Sequence, residues 1–171
     1  MPAQTIQIDD IRFREAVAED ADRLDRALAA LSEHLGDGYL ATPDLLRRTG
    51  LGGGIVFTAI IAEADNRIVG LALASPVLST MRGGAGAYVS DLWVDDGIRG
   101  SGLGARLLAE TARICGARWG AMFLKLSVYG DNLDARAFYE RLGFEPAERE
   151  SSMTLASEAL AALRNSGGSN R

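Results

Sequence analysis

Three glycines at alternate positions, Gly100, Gly102 and Gly104, stand directly after Arg99 and directly before the Ala/Leu-rich run Ala105-Arg106-Leu107-Leu108-Ala109. Glycine loses more backbone freedom on folding than any other residue, so this density points to a chain that turns tightly or comes close to a ligand. Ahead of a helix, such a turn gathers unpaired backbone N–H groups, and the helix dipole adds partial positive charge. The stretch Arg99, Gly100, Ser101, Gly102, Leu103, Gly104, Ala105 therefore reads as a seat for a phosphate or pyrophosphate. Arg99 at its mouth has the planar fork that pairs phosphate oxygens two at a time. A plain surface turn would also accommodate the glycines; Arg99 and the strand-to-helix context favour the seat.

Gly100-x-Gly102-x-x-Ala105 also fits a loose dinucleotide fingerprint. Three details argue against it. Asp95 to Arg99 separate the glycines from the preceding strand, and the stretch lies mid-chain. Lys125 occupies the place, about 20 residues on, where an acidic ribose partner is expected, and Asp131 comes too late. A P-loop is excluded because no Gly-Lys-Ser/Thr follows.

A second segment settles the ligand class. Asn132-x-x-Ala135-x-x-Phe138-Tyr139-x-x-x-Gly143-Phe144 follows an apolar run at 121–128. With Arg99-Gly100-x-Gly102-x-Gly104, in this order and separation, it resembles the paired signatures of the GNAT superfamily of N-acetyltransferases. The resemblance covers roughly residues 11–155 and is densest over Tyr88–Phe144.

That resemblance implies acetyl transfer from acetyl-CoA, as co-substrate, to an amine of a small molecule or, as the lesser expectation, of a peptide or protein. The pyrophosphate would lie on the amides from Arg99 to Ala105. The pantetheine arm would pair like an added strand with Leu92, Trp93 and Val94, and a backbone N–H near Val94 would hold the oxyanion. Asn132 matches a side chain that hydrogen-bonds the arm; asparagine there equally suits a helix cap. Tyr139 matches the general acid that protonates the departing thiolate, and a phenol with a reference pKa of about 10 suits that leaving group. A core or cofactor-stacking aromatic is the plainer alternative. Some relatives carry a carboxylate where this chain has Ser90, a departure that leaves the general base unassigned. Asp91 beside it is read as orienting substrate or water, or as a polar residue on an exposed strand face. A catalytically silent acyl-CoA-binding module is the competing function; the intact motifs and Tyr139 favour the enzyme.

The elements that must position these residues follow from periodicity. Strands are expected at 11–17, 55–63, 68–78 (interrupted by Pro76), 87–94 and 121–128, with one or two closing strands within 145–155. Helices are expected at 21–35 behind a cap by Asp20, from Pro43, from the glycine turn to about Ala117, at 132–142 and at 156–164. Gly52-Gly53-Gly54 reads as a connector, and 79–86 as a surface loop. The predicted fold class is α/β (α+β): a single-domain GNAT-like fold whose central mixed, mostly antiparallel sheet has splayed parallel central strands flanked by helices. Residues 1–10 are expected to be a flexible N-terminus, 11–155 the acetyltransferase domain, and 156–171 a C-terminal helix and disordered tail.

Composition bounds the partners. The 171 residues carry 18 Lys and Arg against 23 Asp and Glu, a formal charge of −5. This disfavours broad nucleic-acid binding and mildly favours cationic acceptors. One cysteine allows no intrachain disulfide, and no apolar run approaches a membrane span, so a cytoplasmic protein is expected. One histidine and one cysteine are too few for a metal site, and none is expected. His34 reads as a surface or cap residue far from the motifs; Cys115, Trp119 and Met122 read as core. Homodimers are common in the family, but no segment here marks an interface.

Overall fold

The computed structural model describes residues 10–51, 56–147 and 150–166. The connector at 52–54, the strand start at Ile55, and the expected loose segments at 1–9 and 167–171 lie outside the described residues. The chain falls into two compact units, Met1–Asp131 and Asn132–Arg171.

The first unit is a five-stranded sheet with helices. In order come β1 (Arg12–Glu15), α1 (Ala21–Leu35), α2 (Pro43–Leu46) running into a π-helical turn (Arg47–Leu51), β2 (Thr58–Ala64), β3 (Arg67–Ser79), β4 (Gly84–Val94), α3 (Leu103–Trp119) and β5 (Leu124–Leu126). Spatial order equals chain order; three neighbouring pairs are antiparallel and β4–β5 is parallel. The mixed, mostly antiparallel sheet expected from the sequence is found.

Alternation along β2 buries both faces of the sheet. Ala59 and Ile61 join Leu24 and Leu28 of α1 on one side. Ile60 and Ala62 join Leu103 and Leu107 of α3 on the other. A strand covered on both faces reads as an unbroken apolar run, which is why Thr58–Ala64 is so hydrophobic. Full burial of each large aliphatic contributes about 1.5–3 kcal/mol. Gly70 of β3 lets α3 approach closely, since a Cβ there would lie 2.9 Å from Leu107 Cδ1 and 3.3 Å from Leu103 Cδ2.

The β2–β3 hairpin turns through Asp65 and Asn66, with φ of 48° and 62°. Two positive values fit the type I′ turn whose twist matches the strands. Proline does not interrupt β3. Pro76 opposes Ala87 of β4, but the pairing of β3 with β2 ends at Thr58↔Ala74. Pro76 thus lies on a stretch with one open edge among the described residues, where a strand tolerates proline. Half of the expected loop at 79–86 is strand, because the hairpin register runs to Ser79↔Gly84 and leaves residues 80–83 as the turn.

Asp20 stands at the start of α1 but does not cap it with its side chain. Its carboxylate accepts from Val17 N–H at 2.9 Å and pairs with Arg14 at 2.6 and 2.8 Å. Arg14 also grips Glu63 at 2.6 and 2.9 Å, and Arg23 bridges the same two acids at 3.2 and 2.7 Å. Four charges thus tie β1, α1 and β2 together. Cys115 is buried as expected, whereas Met122 is 67% exposed and lies over the backbone at Gly84.

In the second unit, α4 (Leu133–Arg141) ends before Gly143, whose φ of 90° stops the helix, and α5 spans Ser157–Ser166. The described residues between them form no strand; 148–149 lie outside the described residues.

Candidate active site

β4 carries the first part of the candidate site. It pairs with β5 only through Ala87↔Leu124, Tyr88↔Lys125 and Val89↔Leu126. On its other side Asp91 opposes Leu73 and Val89 opposes Ala74, so Ser90 is an extra residue, a β-bulge. The bulge falls one residue past the last β4–β5 pair. From Ser90 to Val94, no described strand pairs with β4 on the β5 side. Asp95 N–H donates to Val69 O of β3 at 3.0 Å. Strand alternation therefore turns the Leu92 and Val94 amides away from β3, to the side β5 has left.

The glycine turn follows. Asp95 accepts from Gly97 N–H at 2.9 Å, and Asp96–Ile98 make one 3-10 turn. Gly100 and Gly102 have φ of 76° and 88°, a region L side chains enter only at a cost of about 1–2 kcal/mol. Gly102 begins α3 without a side-chain cap, and the first turn holds no acid. Each other described α-helix has an acid there: Asp22, Asp44, Asp134 and Glu158. Leu103 is 1% exposed and anchors the turn in the core. With its side chain buried, only the backbone amide of Leu103 is available to a ligand at this turn; Ser101 is exposed.

Arg99 is held on three sides. Its Nε donates to Val94 O at 3.1 Å, one terminal nitrogen pairs with Asp96 at 2.9 Å, and the other lies 3.3 Å from His34 Nε2. His34 is therefore beside the motif and not far from it. Helix α1 ends at this loop, a proximity set by the sheet topology that leaves no mark in local sequence.

On β4, Ser90 Oγ donates to Asp91 Oδ2 at 2.7 Å. Tyr39, from the α1–α2 loop, donates to Asp25 Oδ1 at 2.8 Å. Burial first, then Asp25 and the charge of Asp91, push the Tyr39 hydroxyl well above the ordinary tyrosine range. The Tyr129 hydroxyl, just after β5, donates to Asp37 at 2.9 Å. Sequence reading missed Tyr39, Asp25, Asp37 and Tyr129, which lie in no motif.

In the second unit Asn132 Oδ1 accepts from Ala135 N–H at 3.1 Å and so caps α4. Tyr139, half-buried, packs edge-on against Phe138 and Phe144 with ring centroids 5.1 and 5.6 Å away. Burial raises its hydroxyl pKa above the ordinary value of 10.0.

A cavity of about 430 Å³ opens elsewhere, between β1 and α3. Its three arginines are all paired: Arg14 with Asp20 and Glu63, Arg118 with Glu15 at 2.7 Å and Arg113 with Glu110 at 2.5 Å. Among the described residues, no group of three His, Cys, Asp or Glu could hold a metal, and no helix is long and apolar enough to cross a membrane.

The model of the acetyltransferase (GNAT) family matches residues 25–144. No protein with a curated description matches. Among solved structures, a protein of Arthrobacter sp. FB24 inferred to be an acetyltransferase is 27% identical, over 92% of this chain and 99% of its own, with a TM-score of 0.67. An aminoglycoside acetyltransferase from an uncultured soil metagenomic sample, solved with sisomicin, is 18% identical over 88% and 98%, with a TM-score of 0.67. A ribosomal-protein-alanine N-acetyltransferase of Brucella melitensis biovar Abortus 2308 is 19% identical over 86% and 99%, with a TM-score of 0.65. The last two share the fold.

Proposed function

The chain belongs to the acetyltransferase (GNAT) family, and on that premise we propose that it moves the acetyl group of acetyl-CoA onto a primary amine of a small molecule by direct attack on the thioester. Acetyl-CoA-dependent N-acetyl transfer follows from the family; the acceptor and the division of labour among residues are what the proposal adds. The observation that carries it is the start of α3, an uncapped helix N-terminus with no acid in its first turn, just after Arg99 and the open stretch of β4.

In this reading the diphosphate lies on the amides from Arg99 to Ala105, and the pantetheine arm runs along Leu92, Trp93 and Val94. The neutral amine attacks the thioester carbon. A C–N bond forms while the Val94 N–H holds the oxyanion, and the C–S bond then breaks with its electron pair on sulfur. Tyr139 gives sulfur its proton. Burial supports that role, because a hydroxyl with a raised pKa stays protonated well past neutral pH. The proton shed by the amine leaves to water or to Asp91. Asn132 caps α4 with its oxygen, which leaves its NH₂ group to donate to the arm.

A cationic acceptor is supported by the formal charge of −5 and by the carboxylates at Asp25 and Asp91, both of which act on Tyr39. Similarity to an enzyme solved with sisomicin points the same way. The same reading carries a cytoplasmic location and a homodimer, which cell fractionation and light scattering test. Thiol release from acetyl-CoA over a panel of primary amines tests the function. Release with at least one small amine supports it. Tight binding of coenzyme A with no release on any acceptor would make the chain a silent acyl-CoA-binding module instead.

A further inference from the structure

We propose that His34 is a positioning residue for cofactor binding: a neutral imidazole that holds the Arg99 guanidinium in place for the diphosphate of the acyl carrier. This rests on the reading of the Arg99–Ala105 turn given above.

A guanidinium has five N–H donors and no acceptor. The 3.3 Å approach of Arg99 Nη1 to His34 Nε2 therefore makes Nε2 the acceptor and puts the imidazole proton on Nδ1. The other two partners of Arg99 are its near neighbours in sequence, Val94 O at the end of β4 and Asp96 in the turn that follows. Among the described residues, His34 is the one side-chain partner of Arg99 distant in sequence, 65 residues earlier in the chain. Asp96 is 82% exposed and has two oxygens. Without His34, no other described side chain holds Arg99 against a rotation that gives both its terminal nitrogens to that carboxylate, a fork-on-fork pair that competes with phosphate. His34 holds one terminal nitrogen off Asp96, so three of the five donors are engaged and two remain.

The chemistry of the residue suits this task. A lysine at 34 would repel the guanidinium, and a carboxylate would capture it. A neutral acceptor orients it and leaves its charge for the ligand. The carrier segment is itself fixed. Gly36 ends α1 with φ of 74°, Asp37 N–H donates to Ser32 O at 2.9 Å, and the Asp37 carboxylate accepts from the Tyr129 hydroxyl.

The test is calorimetric binding of coenzyme A, with steady-state kinetics, on the full chain. His34→Leu is expected to raise Kd for coenzyme A and KM for acetyl-CoA about threefold to fivefold while changing kcat less than about twofold. His34→Gln, which keeps an acceptor, is expected to restore both to within about twofold of the parent. In an Arg99→Gln background, His34→Leu should cost nothing further, because its partner is gone. Unchanged coenzyme A affinity in His34→Leu would overturn the inference, as would a loss that persists in that background. A parent protein that binds no coenzyme A would instead overturn the reading of the turn, a distinguishable result.

Discussion

Ser90 donates to the Asp91 carboxylate at 2.7 Å, at a point where β4 carries one residue more than β3. The bulge re-aims the strand just where β5 stops pairing, and the bond fixes the carboxylate. If Asp91 orients a cationic amine, Asp91→Asn will raise KM for the amine about tenfold with a smaller change in kcat. Ser90→Ala, which only loosens the carboxylate, will raise it about threefold or less. Steady-state kinetics at saturating acetyl-CoA separate the two. A fall confined to kcat in Asp91→Asn would make Asp91 a base instead.

Tyr139→Phe removes the proposed proton donor and keeps the ring contacts with Phe138 and Phe144. Turnover should fall by about 100-fold, with Kd for coenzyme A within about twofold of the parent. Burial raises the hydroxyl pKa above 10.0, so Tyr139 loses its proton only above that pH. Any alkaline fall in rate below about pH 10 should therefore persist unchanged in Tyr139→Phe. Equal turnover in the two proteins would remove Tyr139 from the acid role.

The charge network sets the acid stability of the first unit. Arg14 holds Asp20 below the ordinary carboxylate range; burial would raise Glu63, but Arg14 and Arg23 outweigh it and lower it too. A depressed carboxylate contributes stability that is present above its unfolded pKa, about 4, and lost as pH falls through the folded value. Urea unfolding should show stability level from pH 7 to about 5 and falling below about 4. Arg14→Met leaves Asp20, 3% exposed, with a poorer partner, and should cost about 3 kcal/mol at pH 7 and much less at pH 3. A cost independent of pH would show that packing, not charge, is what Arg14 contributes.

At Gly102 strain and blockage can be told apart. No atom lies within 4 Å of a Cβ built there, but φ is 88°. Gly102→Val should therefore fold, with Tm lower by a few degrees from about 1–2 kcal/mol of backbone strain. Its Kd for coenzyme A should rise about tenfold or more, since a side chain would stand over the amides of the seat. Unchanged affinity in a folded protein would count against the seat.

Much of the sheet was legible because its signals are local. Alternation and unbroken apolar runs marked the strands. Strand ends were misjudged where pairing, not propensity, decides them: Pro76 survives inside β3 because β2 has already stopped, and β5 shortens to Leu124–Leu126 where it leaves β4. The glycine turn and Asn132 were readable because backbone conformation and capping constrain residue type directly. His34 beside Arg99, Tyr39 on Asp25 and Asp37 under Tyr129 were not, because partners 14 to 92 residues apart meet only through the topology.

A diffraction measurement on crystals soaked with coenzyme A tests the central claim most directly. The diphosphate oxygens should lie within about 3.2 Å of backbone nitrogens in the Leu103–Ala105 turn, with the Arg99 guanidinium against them. A diphosphate lodged elsewhere, for example in the cavity between β1 and α3 beside Arg113 and Arg118, with the turn left empty, would contradict it.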